Sequence, residues 1–223
     1  MLGGNKMNRV ITVKGTGSFK VKPDLIVITM SLESLHLDYN KTMKLAAEAV
    51  EGLQRAIQSV GFNKTDLKTT NFNISTHYES YYDKDNNYKT KFDGYLCEQG
   101  LKLEFDFDNE VMSKVLTTIS KAKTDPRLNI QFSVKDKDAV NEELLISAAD
   151  NAKRKAEILA KASGVSLGDL ISIEYNWGEL HLYSQTRYAM EDQMMKLSES
   201  SAPDIEPDDI DFSDTVSFVW EIK

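Results

Sequence analysis

Residues 11–28 read ITVKGTGSFKVKPDLIVI, and the fold can be predicted outward from this stretch. A short apolar run ends at two glycines in a G-x-G spacing, Gly15 and Gly17. A dinucleotide-binding loop requires a strand, three glycines and then a helix whose N-terminal amides meet the phosphate. Here Lys20 stands at the third glycine position, and Pro23 leads into an alternating apolar run typical of a strand. The stretch therefore predicts a glycine bend between two strand pieces, and we expect a positive φ or a β-bulge at one of the two glycines.

Beyond this stretch, apolar residues alternate between strand-like and helix-like spacing. Helical spacing predicts three helices, from near Asp38 to Gly61, from Asn109 to about Ile119 and from about Asp138 to Ser163. The third helix has a ridge of small side chains that permits close approach to a sheet or to another helix: Ala148, Ala152, Ala156 and Ala160. A period of two predicts strands at 67–82, 88–95 and 101–107, and the chain ends in a strongly apolar strand. Hairpin-linked strands mixed with helices predict an α+β fold, an antiparallel or mixed sheet with helices packed on one face.

Length and charge indicate how the chain is organised. The 223 residues predict a short tail at 1–8 and a single domain at 9–223, with a flexible acidic loop or arm at about 185–207. The net charge is −8, and residues 191–214 alone account for −8, since they hold nine acids and one base. The remaining residues hold 26 acids and 26 bases, so no basic face is available to neutralise a nucleic-acid backbone. The sequence therefore predicts no nucleic-acid partner.

Two further properties indicate the cellular setting. No apolar run approaches the roughly 18 residues of a membrane span. The first 15 residues also lack the apolar region, about 7–15 residues long, of a signal peptide, so we expect a cytoplasmic protein. The single cysteine, Cys97, excludes an internal disulfide and a multi-cysteine zinc site, and it is expected to be a small buried or half-buried side chain.

Motifs that carry chemistry are missing from the sequence. The segment Asp83–Asn87 resembles the first half of a calcium loop, but Tyr88 and Gly94 stand where the loop needs a glycine and a glutamate. A polar hairpin tip is therefore the better interpretation. The histidines are far apart in sequence and have no second ligand at metal-binding spacing: His36, His77 and His181. We therefore predict no catalytic residues, no cofactor and no metal site.

The hairpin at 72–95 is unusually aromatic. Aromatic strands usually combine core packing with cross-strand pairing, and tyrosines also suit interfaces and ligand grooves because they combine apolar area with a polar tip. The candidate interface residues are these aromatics together with methionines of the 185–207 segment: Tyr78, Tyr81, Tyr82, Tyr88, Phe92, Tyr95, Met190, Met194 and Met195.

The order of four stretches resembles the SIMPL-domain family, named for a signalling molecule that associates with a Pelle-like kinase. Together they span nearly the whole chain: ITVKGTGSFKVKPDLIVITMSLE at 11–33, DLKTTNFNISTHYE at 66–79, AADNAKRKAEILAKASGVSLGDLISI at 148–173 and DIDFSDTVSFVWEI at 209–222. The resemblance implies an α+β domain, self-assembly in at least some members and no established catalytic residues. It also implies links to stress responses and host immune recognition among bacterial relatives, many of which begin with an export signal.

Two hypotheses for function follow. The first is a non-enzymatic protein of unknown biochemical role, either a self-assembling interaction protein or a stress-associated protein, that forms a homo-oligomer or binds another protein. The alternative is a small-ligand-binding protein or an unrecognised enzyme with a pocket at the tyrosine-rich strands 72–95.

Overall fold

The computed structural model describes residues 9–122, 124–176, 182–190 and 205–223, with the side chains of 187–190 excepted. The elements of these residues, in chain order, are β1 (Val10–Val21), β2 (Leu25–His36), α1 (Tyr39–Ser59), β3 (Lys68–Tyr82), β4 (Tyr88–Asp106), α2 (Asn109–Lys121), β5 (Arg127–Ser133), α3 (Lys137–Ala162), β6 (Leu167–Glu174), β7 (Tyr183–Met190) and β8 (Ile210–Ile222). The predicted α+β class is confirmed.

The strands form two sheets, and the chain divides into two compact units. A three-stranded sheet has the order β1-β8-β6, and a five-stranded sheet has the order β3-β4-β2-β5-β7. The ladders of β1 with β8, β6 with β8, β2 with β4, β2 with β5 and β3 with β4 are antiparallel. The first unit comprises Met1–Pro23, Val134–Ser184 and Asp208–Lys223, and the second comprises Asp24–Ser133 and Gln185–Pro207. The single domain at 9–223 stays a prediction.

The glycine bend predicted in β1 is wrong. β1 pairs with β8 without a break from Val10↔Glu221 to Val21↔Ile210, and no bulge interrupts the ladder. Neither Gly15 nor Gly17 has a positive φ. The two strand pieces that the sequence predicted are therefore one twelve-residue strand.

The two glycines are needed because α3 lies very close to β1. A Cβ atom at Gly15 would lie 2.0 Å from the carbonyl oxygen of Ala148, and one at Gly17 would lie 2.1 Å from that of Leu144. Real Cβ atoms essentially never approach other heavy atoms within 3.0 Å. The predicted alanine ridge of α3 provides the other half of this contact, since Ala148, Ala152 and Ala156 are fully buried against the sheet.

The same helix also covers the free edge of β1 with polar groups. The backbone N–H of Ser18 donates to Ser147 Oγ at 3.3 Å, and that of Thr16 donates to Asn151 Oδ1 at 3.1 Å. One turn further along α3, Lys155 Nζ donates to the carbonyl oxygen of Lys14 at 3.2 Å. A row of polar side chains at four-residue spacing therefore satisfies backbone groups that an edge strand otherwise presents to water or to another chain.

The second unit has its own hydrophobic core. The even-numbered residues of β2, from Ile26 to Leu32, face Leu53 and Ile57 of α1 and the apolar side of α2. Helices thus pack on one face of this sheet, as predicted, and Cys97 is buried in β4, as expected.

Two stretches differ from the strand predictions. The strands predicted at 88–95 and 101–107 form one nineteen-residue strand, β4, because Gly94 and Gly100 continue the ladder with β3 instead of ending it. Residues 183–190 form β7, although the sequence predicted a loop from about 185 onward, and residues 191–204 lie outside the described part of the chain. The polar composition of 184–190 hides the strand, since β7 has no alternating apolar pattern.

Substituting either glycine of β1 tests the close approach of α3. Gly15→Ala or Gly17→Ala should lower the free energy of unfolding by at least about 2 kcal/mol, because the new methyl group meets helix backbone that cannot rotate away. Chemical denaturation followed by circular dichroism measures the loss. Lys14→Ala, whose side chain is exposed on the same strand, is the control and should change stability by less than about 0.5 kcal/mol. A Gly15→Ala protein as stable as the parent would contradict this explanation of the G-x-G spacing.

Candidate functional site, an aromatic hairpin arm

The hairpin of β3 and β4 extends beyond the rest of the second unit's sheet. The pairing of β2 with β4 ends at His36↔Tyr95, whereas β3 and β4 continue to pair as far as Tyr82↔Tyr88. Residues 78–92 therefore form a two-stranded ribbon, which we call the arm.

A β-bulge stands at the root of the arm. His77 pairs with Gly94 but the next residue, Tyr78, pairs with Phe92, so Asp93 is an extra residue in β4. Because side chains alternate between the faces of a strand, one extra residue moves all following side chains to the opposite face. Gly94, with a φ of 140°, provides the unusual backbone, and a Cβ there would lie 2.6 Å from the carbonyl oxygen of His36.

The extra residue thereby places aromatic side chains of both strands on one face of the arm. Tyr82 packs edge-on against Tyr88 with ring centroids 5.6 Å apart, and Tyr78 packs against Phe92 at 5.7 Å. Phe92 in turn packs against Tyr95 at 5.5 Å. These five residues form the aromatic face, which continues the helix-covered side of the sheet because Tyr95 shares that side with Leu101 and Leu103.

Helix α1 covers the sheet only as far as the root of the arm. Its first residue, Tyr39, packs edge-on against Tyr95 with centroids 5.5 Å apart. The fully buried Thr42 Oγ1 lies 3.1 Å from the carbonyl oxygen of His36 and 3.2 Å from that of Tyr95, which anchors the helix at this position. Beyond it, Tyr78, Tyr82 and Tyr88 are 55%, 67% and 63% exposed. The apolar side of the sheet thus continues past the helix that covers it.

The opposite face of the arm is charged. Glu79 pairs with Lys91 and Tyr81 pairs with Lys89 across the two strands. At the root of the arm, His77 Nδ1 lies 3.1 Å from Asp93 Oδ2. The two faces therefore differ in chemistry, with rings on one and ionisable groups on the other.

The tip of the arm is built around Asp83. Its Oδ1 accepts from the backbone N–H groups of Asp85 and Asn87, both at 2.9 Å, and its Oδ2 forms an ion pair with Lys89 Nζ at 2.6 Å. The ion pair with Lys89, followed by these backbone hydrogen bonds, lowers the pKa of Asp83. Asp83 thus organises a hairpin turn in the segment that resembled a calcium loop, in agreement with the sequence interpretation.

The candidate interface residues fall into three groups. Tyr78, Tyr82, Tyr88, Phe92 and Tyr95 share the aromatic face, whereas Tyr81 lies on the charged face. The Met190 side chain, Met194 and Met195 lie outside the described part of the chain. Sequence reasoning did not include Tyr39, because it belongs to α1 and not to the hairpin. Its place between the end of β2 and the start of α1 is a signal that it lies near the hairpin.

Cys97 and Tyr175, which lie outside the arm, have surroundings that fit a structural role. Burial, and then the charge of Glu98, raise the pKa of the Cys97 thiol, so the thiol is a poor nucleophile. Tyr175 Oη donates to Asp214 Oδ2 at 2.8 Å, and this hydrogen bond is the main cause that raises the pKa of Tyr175. Among the described residues, no group of three His, Cys, Asp or Glu side chains is arranged to hold a metal ion, and His181 lies outside them.

The grooves of the described structure lie away from the aromatic hairpin. Two grooves of about 510 and 390 Å³ are lined by residues of β1, α3 and β8, and neither includes residues 72–95. The alternative of a ligand pocket at those strands stays a prediction. Within the described residues, no helix is both long enough and apolar enough to cross a bilayer.

Comparison with known proteins gives one family match and two curated relatives. A profile of the SIMPL family, described as a protein of unknown function (DUF541), matches residues 11–220. The 26 kDa periplasmic immunogenic protein of Brucella melitensis biotype 1 is 26% identical over 164 residues, which are 73% of this chain but only 65% of that protein. The uncharacterized protein YggE of Edwardsiella ictaluri is 22% identical over 214 residues, covering 96% of this chain and 87% of that protein.

Among solved structures, the regulatory subunit of aspartate kinase from Thermus flavus aligns over 95% of this chain and 90% of that chain. It is 7% identical, and its TM-score of 0.18 means that the alignment carries no structural argument.

The surroundings of Asp83 predict a pH dependence of the arm's tip. Because the pKa of Asp83 is lowered from its usual 3.8, the turn gains stability that is present above pH 3.8 and is lost as pH falls through the lowered value. NMR titration should give a midpoint for Asp83 below 3.8, and the amide hydrogens of Asp85 and Asn87 should lose protection over the same range. Lys89→Met, which removes the ion pair, should move the midpoint up toward 3.8. A midpoint that Lys89→Met leaves unchanged would show that the ion pair does not form in solution.

Proposed function

The chain belongs to the SIMPL family, and we propose that it is a non-enzymatic interaction protein that assembles with copies of itself through the aromatic face of the arm. The observation that carries the proposal is the continuation of an apolar sheet side past α1, where three tyrosines are more than half exposed. Isolated two-stranded hairpins are marginally stable in water, so a ribbon of this kind gains stability when another surface covers it.

The composition of the two faces supports an interface on one side of the arm. Interface cores are enriched in Tyr and Phe and depleted in Lys, Glu and Asp, which matches the aromatic face. The charged residues of the arm's two paired strands, Glu79, Lys89 and Lys91, lie on the other face, where they remain hydrated. The ring pairs Tyr82–Tyr88 and Tyr78–Phe92 hold the aromatic side chains in place, so little side-chain freedom is lost on association.

A second copy is the simplest occupant of the aromatic face. Most soluble oligomers are symmetric homo-oligomers, in which the same patch of each subunit meets across a two-fold axis. The aromatic face suits such a contact because each copy presents the same edge-on ring pairs, and rings of one copy can pack edge-on or offset against those of the other. A different protein that presents an apolar strip would bind the same face, and the test below distinguishes the two.

The remaining parts of the proposal rest on sequence alone. The non-enzymatic character follows from the missing catalytic motifs, and the stress association follows from the family resemblance. The cytoplasmic location also stays a prediction, and the Brucella relative is by its name a periplasmic protein. Cell fractionation with an antibody against this chain measures the location directly.

Substitutions on the arm test the assembly. Light scattering coupled to size exclusion, at tens of micromolar protein, should give the mass of an oligomer for the parent chain. The double variant Tyr82→Ser/Tyr88→Ser should weaken association tenfold or more, roughly the loss of one interface hot spot. Tyr81→Ser is the matched control, since it removes the same ring from the same strand on the charged face, and it should leave the mass unchanged.

Two outcomes would count against the proposal. A parent chain that is strictly monomeric at these concentrations would refute self-assembly and would leave a different partner for the aromatic face. Equal effects of Tyr81→Ser and of the double variant would show that the aromatic face has no special role.

A further inference from the structure

Strand β3 is a long and exposed edge of the second unit's sheet. In the described part of the chain, β3 pairs with β4 alone, and of its fifteen residues all except Ile74 and His77 are exposed. An edge of this length presents a row of backbone groups to which another strand can add.

The pairing pattern identifies which backbone groups point outward. Phe107 N–H donates to the Asp24 carbonyl oxygen, at the start of the pairing between β2 and β4. Because backbone groups alternate in direction along a strand, the odd-numbered residues of β4 from 95 to 105 also direct their N–H and C=O groups toward β2. The even-numbered residues of β4 therefore bond to β3, where their partners are odd-numbered, as in Ser75↔Leu96. At the tip, Asp83 N–H donates to the Asn87 carbonyl oxygen, so odd-numbered residues of β3 also bond to β4 between the bulge and the tip. The outward N–H and C=O groups thus belong to the even-numbered residues of β3: Phe72, Ile74, Thr76, Tyr78 and Ser80.

This edge lacks the features that usually protect an edge strand. Residues 68–82 contain no proline, and their only charged residues are Lys68 and Glu79 near the two ends. The β1 edge of the other sheet is different, because α3 side chains occupy its outward backbone groups. The chain therefore blocks one edge and leaves the β3 edge able to pair.

We propose that β3 pairs antiparallel with β3 of a second copy across a two-fold axis near Ile74, which joins the two five-stranded sheets into one. This inference rests on the proposed function and adds a second contact between copies, in the plane of the sheet, to the contact through the aromatic face. The four outer rings of the aromatic face expose roughly 400 Å² in total, about half of what a typical partner buries in a stable interface, so a further contact is needed. Pairing at β3 provides that contact and places two aromatic faces side by side.

Charge and apolar pairing identify a second copy as the occupant. A pairing centred on Ile74 places Ile74 opposite Ile74 of the second copy, and Phe72 diagonal to its Tyr78, within reach of cross-strand contact. The register shift between Thr69 and Asn71 puts Lys68 on the same face as Glu79. An antiparallel pairing then brings Lys68 of each copy beside Glu79 of the other, and no like charges meet.

Single cysteines on β3 test this pairing. Ile74→Cys should form a disulfide-linked dimer under mild oxidation, since the two Cα atoms would lie about 5.5 Å apart across the axis. Ser80→Cys is the matched control on the same edge and face, and it should not crosslink because the two copies of residue 80 lie at opposite ends of the paired strands. The native Cys97 is buried and does not interfere. Equal crosslinking of both variants would overturn the antiparallel arrangement.

A proline on the edge tests the backbone bonds. Thr76→Pro removes an outward N–H but no bond to β4, and it should lower the oligomer mass measured by light scattering, because the aromatic face alone is too small for a stable interface. Thr76→Ala keeps the N–H and should behave like the parent chain. If Thr76→Pro does not fold, as judged by thermal melting, the cysteine pair decides the question.

The outcomes separate the two proposals. An oligomer that Thr76→Pro leaves intact, but that Tyr82→Ser/Tyr88→Ser dissociates, would overturn strand pairing and support the aromatic face alone. A monomeric parent chain without an Ile74→Cys crosslink would overturn both.

Discussion

The close approach of α3 to β1 is the constraint on which the first unit depends. Two residues of a strand advance about 6.8 Å, and four residues of a helix advance about 6.0 Å. Glycines at every second strand position therefore meet successive turns of a helix that runs alongside, with Gly17 beneath Leu144 and Gly15 beneath Ala148. Because the strand has no Cβ at these two positions and Ala148 and Ala152 of the helix are small, the two backbones nearly touch. The polar row of Ser147 and Asn151 reaches the edge of β1 only because the helix lies this close.

The second unit uses its helices in a different way. Its core depends on large apolar side chains between α1, α2 and the sheet, and α1 begins only where β2 ends. The hairpin of β3 and β4 does not end there, so its apolar side continues without a helix to cover it. The bulge at Asp93 is decisive, because without the extra residue Phe92 and Tyr88 would point away from Tyr78 and Tyr82. A local irregularity thus aligns two aromatic strands into one surface.

The sequence predicted the periodic features well and the spatial ones poorly. Three helices, the hairpin and the C-terminal strand follow from apolar spacing, and the small-residue ridge of α3 was recognised. The role of Gly15 and Gly17 was missed because local reasoning assigns glycine to bends, whereas here the reason is a helix more than a hundred residues away in the chain. The bulge left a signal that was overlooked. Tyr88 and Phe92 are four apart, an even spacing that keeps both on one face of a strand, but Phe92 and Tyr95 are three apart around Gly94.

The contrast between the β1 and β3 edges connects the fold to assembly. An open edge invites association, and natural proteins usually block it with charges, prolines or a covering element. This chain covers the β1 edge with hydrogen bonds from a helix, yet β3 has fifteen residues, no proline and charges only near its ends. The same strand carries Tyr78 and Tyr82 of the aromatic face, so its outward backbone groups and its exposed rings occur on the same residues. Because one short segment presents hydrogen-bonding groups in the sheet plane and apolar surface perpendicular to it, association along the edge would extend the apolar surface as well.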